Sequence, residues 1–480
     1  MRTLQPYING HFVDPAKHNG TMPVTNPATE SVVAEIALCG AADVDLAVAA
    51  ARHAFDSFGQ TTLEERLALL EKLDEVMNRR YDELVTAITT EMGAPADLSR
   101  ASQAACGPGH IKATIAAARE LDWETRSGSR ANLVREPIGV CALITPWNWP
   151  MNQLAAKVAP ALAAGCTIVL KPSELSPLSA QVFAEFIHEA GYPAGVFNML
   201  HGTGPEVGAP LSAHPDVDMV SFTGSTRAGV QVAKAAADTI KRVSQELGGK
   251  SPNIVFADAD LPRAIKRGVL HCFNNSGQSC NAPTRMLVEE SVYERAVELA
   301  VEAGAKVQVG DPTKPGSHIG PVVSKAQWEK IQGYIKLGVE EGAKAVLGGP
   351  GRPEGLDKGY YVRPTIFAGV KPGMRIEHEE IFGPVLCIIP FKDVEDALRI
   401  ANDTPYGLAA YVQSGDDAKA KSVARRLRAG SVYLNGAGQD YESPFGGYKQ
   451  SGNGREWGKH GLLEYLELKS INGFYPASGT

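Results

Sequence analysis

The stretch VCALITPWNWPMNQLAAKVAPALAAGCTIVLKPSE, residues 140–174, decides the fold. Val140–Ile144 is a short apolar run that reads as a buried strand. Gln153–Ala164 has helical spacing and little β-branching, and Thr167–Leu170 is a strand again. Strand, helix and strand in succession make the unit that lays parallel strands under a covering helix. Toward the C-terminus the alternation continues. Pro177–Ala190 reads as a helix, with proline suited to its first turn. Val217–Phe222 reads as a strand, Thr226–Ala237 as a helix and Ile240–Ser244 as a strand. After Gly248-Gly249 the pattern restarts. Asn253–Phe256, Met286–Val288, Val385–Phe391, Ala409–Gln413 and Ser431–Leu434 are predicted strands, with helices at Val292–Ala303, Gln327–Glu341, Val394–Ala401 and Ala418–Leu427. The expectation is an α/β protein of two units, the second starting near residue 249. Two pieces stand apart. Residues 118–137 (ARELDWETRSGSRANLVREP) are polar around a Ser-Gly turn and read as a hairpin leaving the first unit. Glu464–Ile471 reads as a lone strand. Neither has an evident partner in either unit, and another subunit is one source of one.

The bulk numbers agree with two or three domains, since 480 residues exceed the ~250–300 at which single cores stop growing. A hydrophobic fraction of 44% and a charged fraction of 21% are those of an ordinary globular protein. A net charge of −7 argues against a sequence-independent grip on nucleic acid or an anionic membrane. The seven cysteines are scattered and include no Cys-x-x-Cys pair, so neither a zinc ribbon nor a disulfide framework is indicated and no metal site is expected. Reduced thiols in a cytoplasmic compartment fit that usage. The opening MRTLQPYINGHFVD lacks the apolar core of a signal peptide, and no apolar run approaches the ~20 residues of a membrane span.

Several turns carry side chains capable of chemistry, and each admits two readings. Gly277-Gln278-Ser279-Cys280 lies between a helix and a strand. A cysteine in such a loop is reachable, and it is a strong nucleophile as a thiolate if its pKa falls below the free ~8.5. It is equally one more small buried residue. Glu246, ahead of Leu247-Gly248-Gly249-Lys250, is a general base if partly buried and a solvated carboxylate otherwise. Thr145-Pro146-Trp147-Asn148-Trp149-Pro150 is a stiff turn. Its Asn amide either donates to a developing oxyanion or satisfies local backbone. Lys171-Pro172-Ser173-Glu174 follows a buried strand, where ligands of open α/β sheets bind. Gly224-Ser225-Thr226-Arg227-Ala228-Gly229 has Gly-x-x-x-x-Gly spacing, so it is neither the usual dinucleotide fingerprint nor a P-loop. Its helix N-terminus still suits a pyrophosphate.

Taken in order, TPWNWP (145–150), KPSE (171–174), FTGST (222–226), ELGGK (246–250), GQSC (277–280), EEIFGPV (379–385) and PFGGYKQSGNGRE (444–456) resemble the aldehyde dehydrogenase superfamily over nearly the whole chain. The resemblance implies NAD(P)-dependent oxidation of a small-molecule aldehyde to a carboxylic acid by the hydrolytic, non-acylating route. Cys280 would attack the aldehyde, and Asn148 with the Cys280 backbone N–H would hold the oxyanion. Glu246 would activate water against the resulting thioester, with Lys157 and Glu456 relaying protons. Lys171 and Glu174 would bind the adenosine ribose, Ser225 a phosphate, and Glu380 the nicotinamide ribose with Phe382 packing nearby. Thr145, Pro146, Trp147, Ser173, Gly224 and Leu247 would also lie against the cofactor. Glu174 would repel a 2′-phosphate, which favours NAD while leaving dual use with NADP open.

The implied fold is a Rossmann-like cofactor domain (1–117 and 138–248), an α/β catalytic domain (249–450) and a small β bridging element (118–137 and 464–477). The bridging element pairs between subunits of a homodimer or homotetramer. Asn152, Gln153, Ser279 and Asn281 match the family's entry tunnel. Their polarity points to a polar, semialdehyde or heteroaromatic substrate, unless these groups only pair with one another. No arginine clamp for a carboxylate is evident. Loss of activity in a structural or binding relative, and cofactor-free ester hydrolysis, are the alternatives. The intact set of Cys280, Glu246 and Asn148 argues against the first.

Overall fold

The computed structural model describes residues 2–476, so residue 477, the last of the expected bridging element, lies outside the described residues. Five parallel strands form the middle of the first sheet: β1 (Val140–Ile144), β2 (Thr167–Lys171), β3 (Phe197–Met199), β4 (Met219–Thr223) and β5 (Arg242–Glu246). Their spatial order is β5-β4-β1-β2-β3. Chain order therefore reverses between β1 and β4, and such a reversal opens a crevice at the strands' carboxyl ends. The hairpin Tyr7–Ile8/His11–Phe12 extends the sheet antiparallel beside β3, and Gly452–Asn453 caps the β5 edge. Both faces are covered, because alternate side chains of a strand point opposite ways. Cys141 and Leu143 enter one core, while Val140, Ala142 and Ile144 enter another.

The second sheet holds six parallel strands: β6 (Pro252–Val255), β7 (Arg285–Glu289), β8 (Thr365–Ala368), β9 (Val385–Phe391), β10 (Ala409–Gln413) and β11 (Ser431–Leu434). Their order is β8-β9-β7-β6-β10-β11, with Lys344–Leu347 antiparallel beside β8. The same alternation holds, Ile254 and Leu287 facing one core and Val255 and Val288 the other. The fold is thus α/β, as expected.

Two details differ from the sequence reading. The strand expected at Ile240–Ser244 begins only at Arg242 and ends on Glu246. Ile240 takes φ +57 and is 92% exposed, which ends the preceding turn and delays the strand. The two segments without partners find each other. Ala131–Pro137 pairs with Glu124–Ser127 on one side and antiparallel with Leu466–Ile471 on the other. Sequence separation of more than three hundred residues hides that pairing from local patterning.

The crevice between the sheets collects the motifs. Thr145–Trp149 leave β1, Gly224-Ser225 leave β4 and Glu246 ends β5, all at carboxyl ends of the first sheet. Gly248-Gly249, Gly277–Cys280 and Glu380–Phe382 enter β6, β7 and β9 at amino ends of the second.

Candidate active site

Cys280 sits on a loop whose backbone is forced. Helix Leu261–Phe273 is followed by Asn275, Ser276 and Gly277 at φ +54, +57 and +73. Two non-glycine residues in the left-handed region cost about 1–2 kcal/mol each and persist only when neighbours hold them. Asn275 Nδ2 donates to the backbone carbonyls of Asn148 (2.9 Å) and Gln278 (3.2 Å), and Ser276 Oγ donates to Gly320 O at 2.7 Å. Gly277 is required twice over, since a Cβ there would come within 2.1 Å of the Gly383 carbonyl at a φ that disfavours side chains. The turn delivers Cys280, partly exposed, to the junction of two cavities.

Asn148 is buried at the start of the turn after β1. Its Nδ2 donates to Gln278 O at 3.1 Å. An amide has two donor hydrogens, so one is left to aim at the crevice. The Asn148 carbonyl is fixed in turn by Gln103 Nε2 at 3.2 Å and by Asn275. Gln103 Nε2 also donates to Asn275 Oδ1 at 3.0 Å, closing a buried cage of amides around the Cys280 loop.

Electrostatics at the centre is dominated by carboxyl groups. Glu246 is 2% exposed, and neither carboxyl oxygen has a hydrogen-bond partner. Burial pushes its pKa well up and Glu456 and Glu380 push the same way, while Lys157 and a weak contact with Cys280 pull back. Behind it, the fully buried Lys157 Nζ pairs with Glu456 and donates to Ser221 Oγ at 3.1 Å. Burial, then Glu246, Glu380 and Glu456, raise the Cys280 thiol well above its ordinary value, against a smaller opposing pull from the Asn281 backbone N–H. The direction is opposite to that of a thiolate activated by its loop. Burial first, and then acids from three other elements, favour the thiol over the thiolate.

A groove of about 190 Å³ runs from Cys280 along the first sheet and is lined by Pro146, Trp147, Gly224, Ser225, Leu247, Gly248, Glu380 and Phe382 as well as Asn148 and Glu246. Features of this groove fit an extended dinucleotide. Ser225 caps the helix Thr226–Ala236, accepting from Ala228 N at 3.3 Å, so further N–H groups of its first turn face an incoming anion. Gly229 lets that helix lie close, a Cβ there meeting Leu247 at 2.8 Å. A Cβ on Gly248 would strike Glu380 at 2.6 Å, and the Glu380 carboxylate accepts from Gly249 N at 3.0 Å. Thr223 Oγ1 is buried without a partner at the groove wall. Phe382 stands edge-on to Trp147, ring centroids 5.4 Å apart, in a left-handed backbone conformation (φ +60). The structure thus brings ten of the expected residues to one groove. Lys171, Ser173, Glu174 and Thr145 are not in its wall. Lys171 Nζ bonds Glu174 Oε2 at 3.0 Å and leaves the other oxygen free, while Ser173 Oγ accepts from Leu175 N.

The second cavity, about 260 Å³, also reaches Cys280 and is lined by all four tunnel positions, Asn152, Gln153, Ser279 and Asn281. They do not pair with one another. Asn152 Oδ1 meets His110 Nε2 at 2.7 Å, Ser279 Oγ accepts from Trp149 Nε1 at 2.8 Å, and the buried Gln153 Oε1 has no partner. Phe445 and Trp457 stack at 4.9 Å along its wall. The sequence reading missed Gln103, Asn275 and Gln278. The run Asn274-Asn275-Ser276-Gly277 is the available signal, because these residue types tolerate left-handed turns.

The family model described as "Aldehyde dehydrogenase family" matches residues 12–471. A 3-succinoylsemialdehyde-pyridine dehydrogenase from Pseudomonas sp is 54% identical over 469 residues, 98% of each chain. The crystal structure of an aldehyde dehydrogenase from Bartonella henselae is 50% identical with a TM-score of 0.97, covering 98% of this chain and 100% of that one. A mutant aldehyde dehydrogenase C from Pseudomonas syringae, crystallised with NAD+ and octanal, is 52% identical with a TM-score of 0.97, covering 99% and 97%.

Proposed function

The chain belongs to the aldehyde dehydrogenase family, and from that premise we propose how its residues divide the oxidation of an aldehyde to a carboxylic acid. The observation that carries the reading is the convergence of Cys280, Asn148 and Glu246 on one groove end. Cys280 is the nucleophile. Its proton leaves toward Glu246, and the Lys157–Glu456 pair behind Glu246 offers the route onward. As sulfur bonds the aldehyde carbon, negative charge gathers on the oxygen, where the free Asn148 amide hydrogen and the Cys280 backbone N–H receive it. When bound in the groove, the nicotinamide supplies the hydride acceptor that turns this adduct into a thioester. Glu246, in its ionised form, then takes a proton from water as that water attacks the thioester carbon and Cys280 leaves. Its buried oxygens have no other partner, so they are free for that water.

The cofactor is NAD. Ser225 and its helix N-terminus hold the pyrophosphate, Glu380 the nicotinamide ribose with Phe382 against Trp147, and Lys171 and Glu174 the adenosine ribose. Glu174, with one oxygen not taken up by Lys171, would accept from ribose hydroxyls and oppose a 2′-phosphate, which makes NADP the poorer partner. We assign residues 1–117 and 138–248 to the cofactor domain and 249–450 to the catalytic domain. The element at 118–137 and 464–477 joins subunits of a homodimer or homotetramer. Its outer strand exposes Leu468 (59%) and Ile471 (38%), which supports burial against another copy. Among the described residues all seven cysteines are free, which supports a cytoplasmic setting, and no helix is long and apolar enough to cross a membrane.

The substrate is a polar or heteroaromatic aldehyde. The unpartnered Gln153 amide oxygen and a stacked aromatic wall at the entry cavity support this, as does the pyridine semialdehyde in the name of the Pseudomonas relative. Cys280→Ala tests the assignment. It should abolish aldehyde oxidation while NAD still binds by fluorescence titration, and retention of a tenth of wild-type turnover would remove Cys280 from the role.

A further inference from the structure

Beyond the entry cavity lies another of about 270 Å³, and His271, Asn281 and Gln439 line both. The two are therefore neighbours along these three residues, and an aldehyde extending past them from Cys280 would enter the second. What the far cavity adds to the aromatic wall near Cys280 is a cation, Arg267, in its lining. Arg267 precedes His271 by four residues on the helix Leu261–Phe273, so both project from one face. Its guanidinium is held in place. Nη2 donates to Gln413 Oε1 at 2.6 Å, and Gln413 Nε2 donates to Asn253 Oδ1 at 3.1 Å, which fixes that amide's orientation. Nη1 lies against Gly436, where a Cβ would come within 1.7 Å. Among the described residues no carboxylate forms a salt bridge with it, and Asp260 is only a weaker, more distant countercharge beside the repelling Arg263. The opposite wall supplies Tyr433, stacked on Tyr411 with ring centroids 5.0 Å apart, whose buried hydroxyl has no partner. A guanidinium held by Gln413 with no carboxylate partner and an orphaned, buried Tyr433 hydroxyl line one cavity; the hydroxyl's unmet hydrogen bond is costly, and the part-buried guanidinium keeps further donors for an acceptor.

We propose that this far cavity is a subsite for the distal end of the aldehyde and selects a hydrogen-bond acceptor there, a carboxylate or an aza-aromatic nitrogen, through Arg267 with Tyr433 assisting. The inference rests on Cys280 being the nucleophile and on the entry cavity admitting the substrate. It explains why a clamp was not evident from the chain. Arg267 lies thirteen residues before Cys280 on a helix face, where an arginine reads as solvated surface.

The test is steady-state kinetics of the full-length enzyme with matched aldehydes: ω-carboxylate aldehydes of increasing length against the corresponding n-alkanals, and pyridyl-bearing aldehydes against their phenyl counterparts. In Arg267→Gln the KM of the acceptor-bearing member should rise about 10–100-fold, the worth of a hydrogen bond to a charged group, with kcat within about twofold. The acceptor-free member should be unchanged. Selective loss in the carboxylate series, the pyridyl series or both identifies the acceptor. Equal losses for both members of every pair, or no loss in any, overturn the proposal. Tyr433→Phe removes only the hydroxyl and should give the same selectivity at about 2–10-fold, so a poorly folded Arg267 variant leaves the test intact. A wild type that oxidises none of the panel, or oxidation that survives Cys280→Ala, would instead strike at the underlying assignment.

Discussion

Replacing Asn148 by alanine should slow the first chemical step far more than it destabilises the protein, and the structure gives both magnitudes. The Asn148 side-chain amide spends one donor on Gln278 O at 3.1 Å, and the Asn148 backbone carbonyl is gripped by Gln103 and Asn275. The remaining donor therefore needs no reorganisation when charge appears on the substrate oxygen. Loss of one such pre-organised donor typically costs about 2.7–4 kcal/mol of transition-state stabilisation, or about 10²–10³-fold in rate. The structural cost is smaller. Gln278 O loses one donor but keeps Asn275 Nδ2 at 3.2 Å, so about 1 kcal/mol of folding stability is at stake. The assay is a stopped-flow record of NADH formation at saturating NAD and aldehyde, with urea unfolding on the same samples. The burst rate constant should fall by two to three orders of magnitude while the unfolding midpoint barely moves. A burst within about threefold of wild type would refute the reasoning, because Asn148 would then be no more than a packed turn residue. Asn148→Asp, which keeps the shape but offers an acceptor, should be at least as slow.

Two further outcomes follow from the electrostatics. Glu174→Ser should narrow the preference for NAD over NADP in kcat/KM, since it removes the carboxylate beside Lys171 that we assign to the ribose; an unchanged ratio would show that Glu174 does not face it. Alkylation of Cys280 by iodoacetamide in the cofactor-free enzyme should be slow at neutral pH and rise about tenfold per unit well past pH 8.5. A raised thiol pKa means that the protonated form persists to higher pH. A plateau already reached near pH 7 would contradict the raised value.

Much of this molecule is legible in its sequence, for identifiable reasons. Strands buried on both faces, such as Val140–Ile144 and Val385–Phe391, are short apolar runs, so the alternation after residue 140 can be read directly. The N-terminal hairpin Tyr7–Phe12 cannot, because strands of two residues carry no periodicity, and its partner Met199 is nearly two hundred residues away. In the site, the nucleophile, base and oxyanion donor lie in turns whose motifs are local. The cage that positions them is not local. Gln103 and Asn148 meet each other and the Asn275–Gln278 turn across separations of 45 to 172 residues, and single buried amides have no sequence pattern. The upward push on the Cys280 thiol is hidden for the same reason, since burial leads it and the carboxyl groups that add to it arrive from β5, from the segment before β9 and from residue 456.

The central claim is a thioester on Cys280 whose hydrolysis depends on Glu246, and Glu246→Gln tests it most directly. The variant keeps the size of the side chain but cannot accept a proton from water, and a positioned base contributes typically ~10²–10⁴-fold to such a step. Mixed with NAD and aldehyde, it should release a burst of NADH near one equivalent per active site and then turn over slowly. Mass spectrometry of the quenched protein should find the acyl group on the peptide containing Cys280. Because Glu246 also lies next to the thiol, the burst itself can be slowed at neutral pH, and raising the pH should restore it as Cys280 ionises unaided. A variant that shows neither burst nor acyl adduct at any pH would contradict the account.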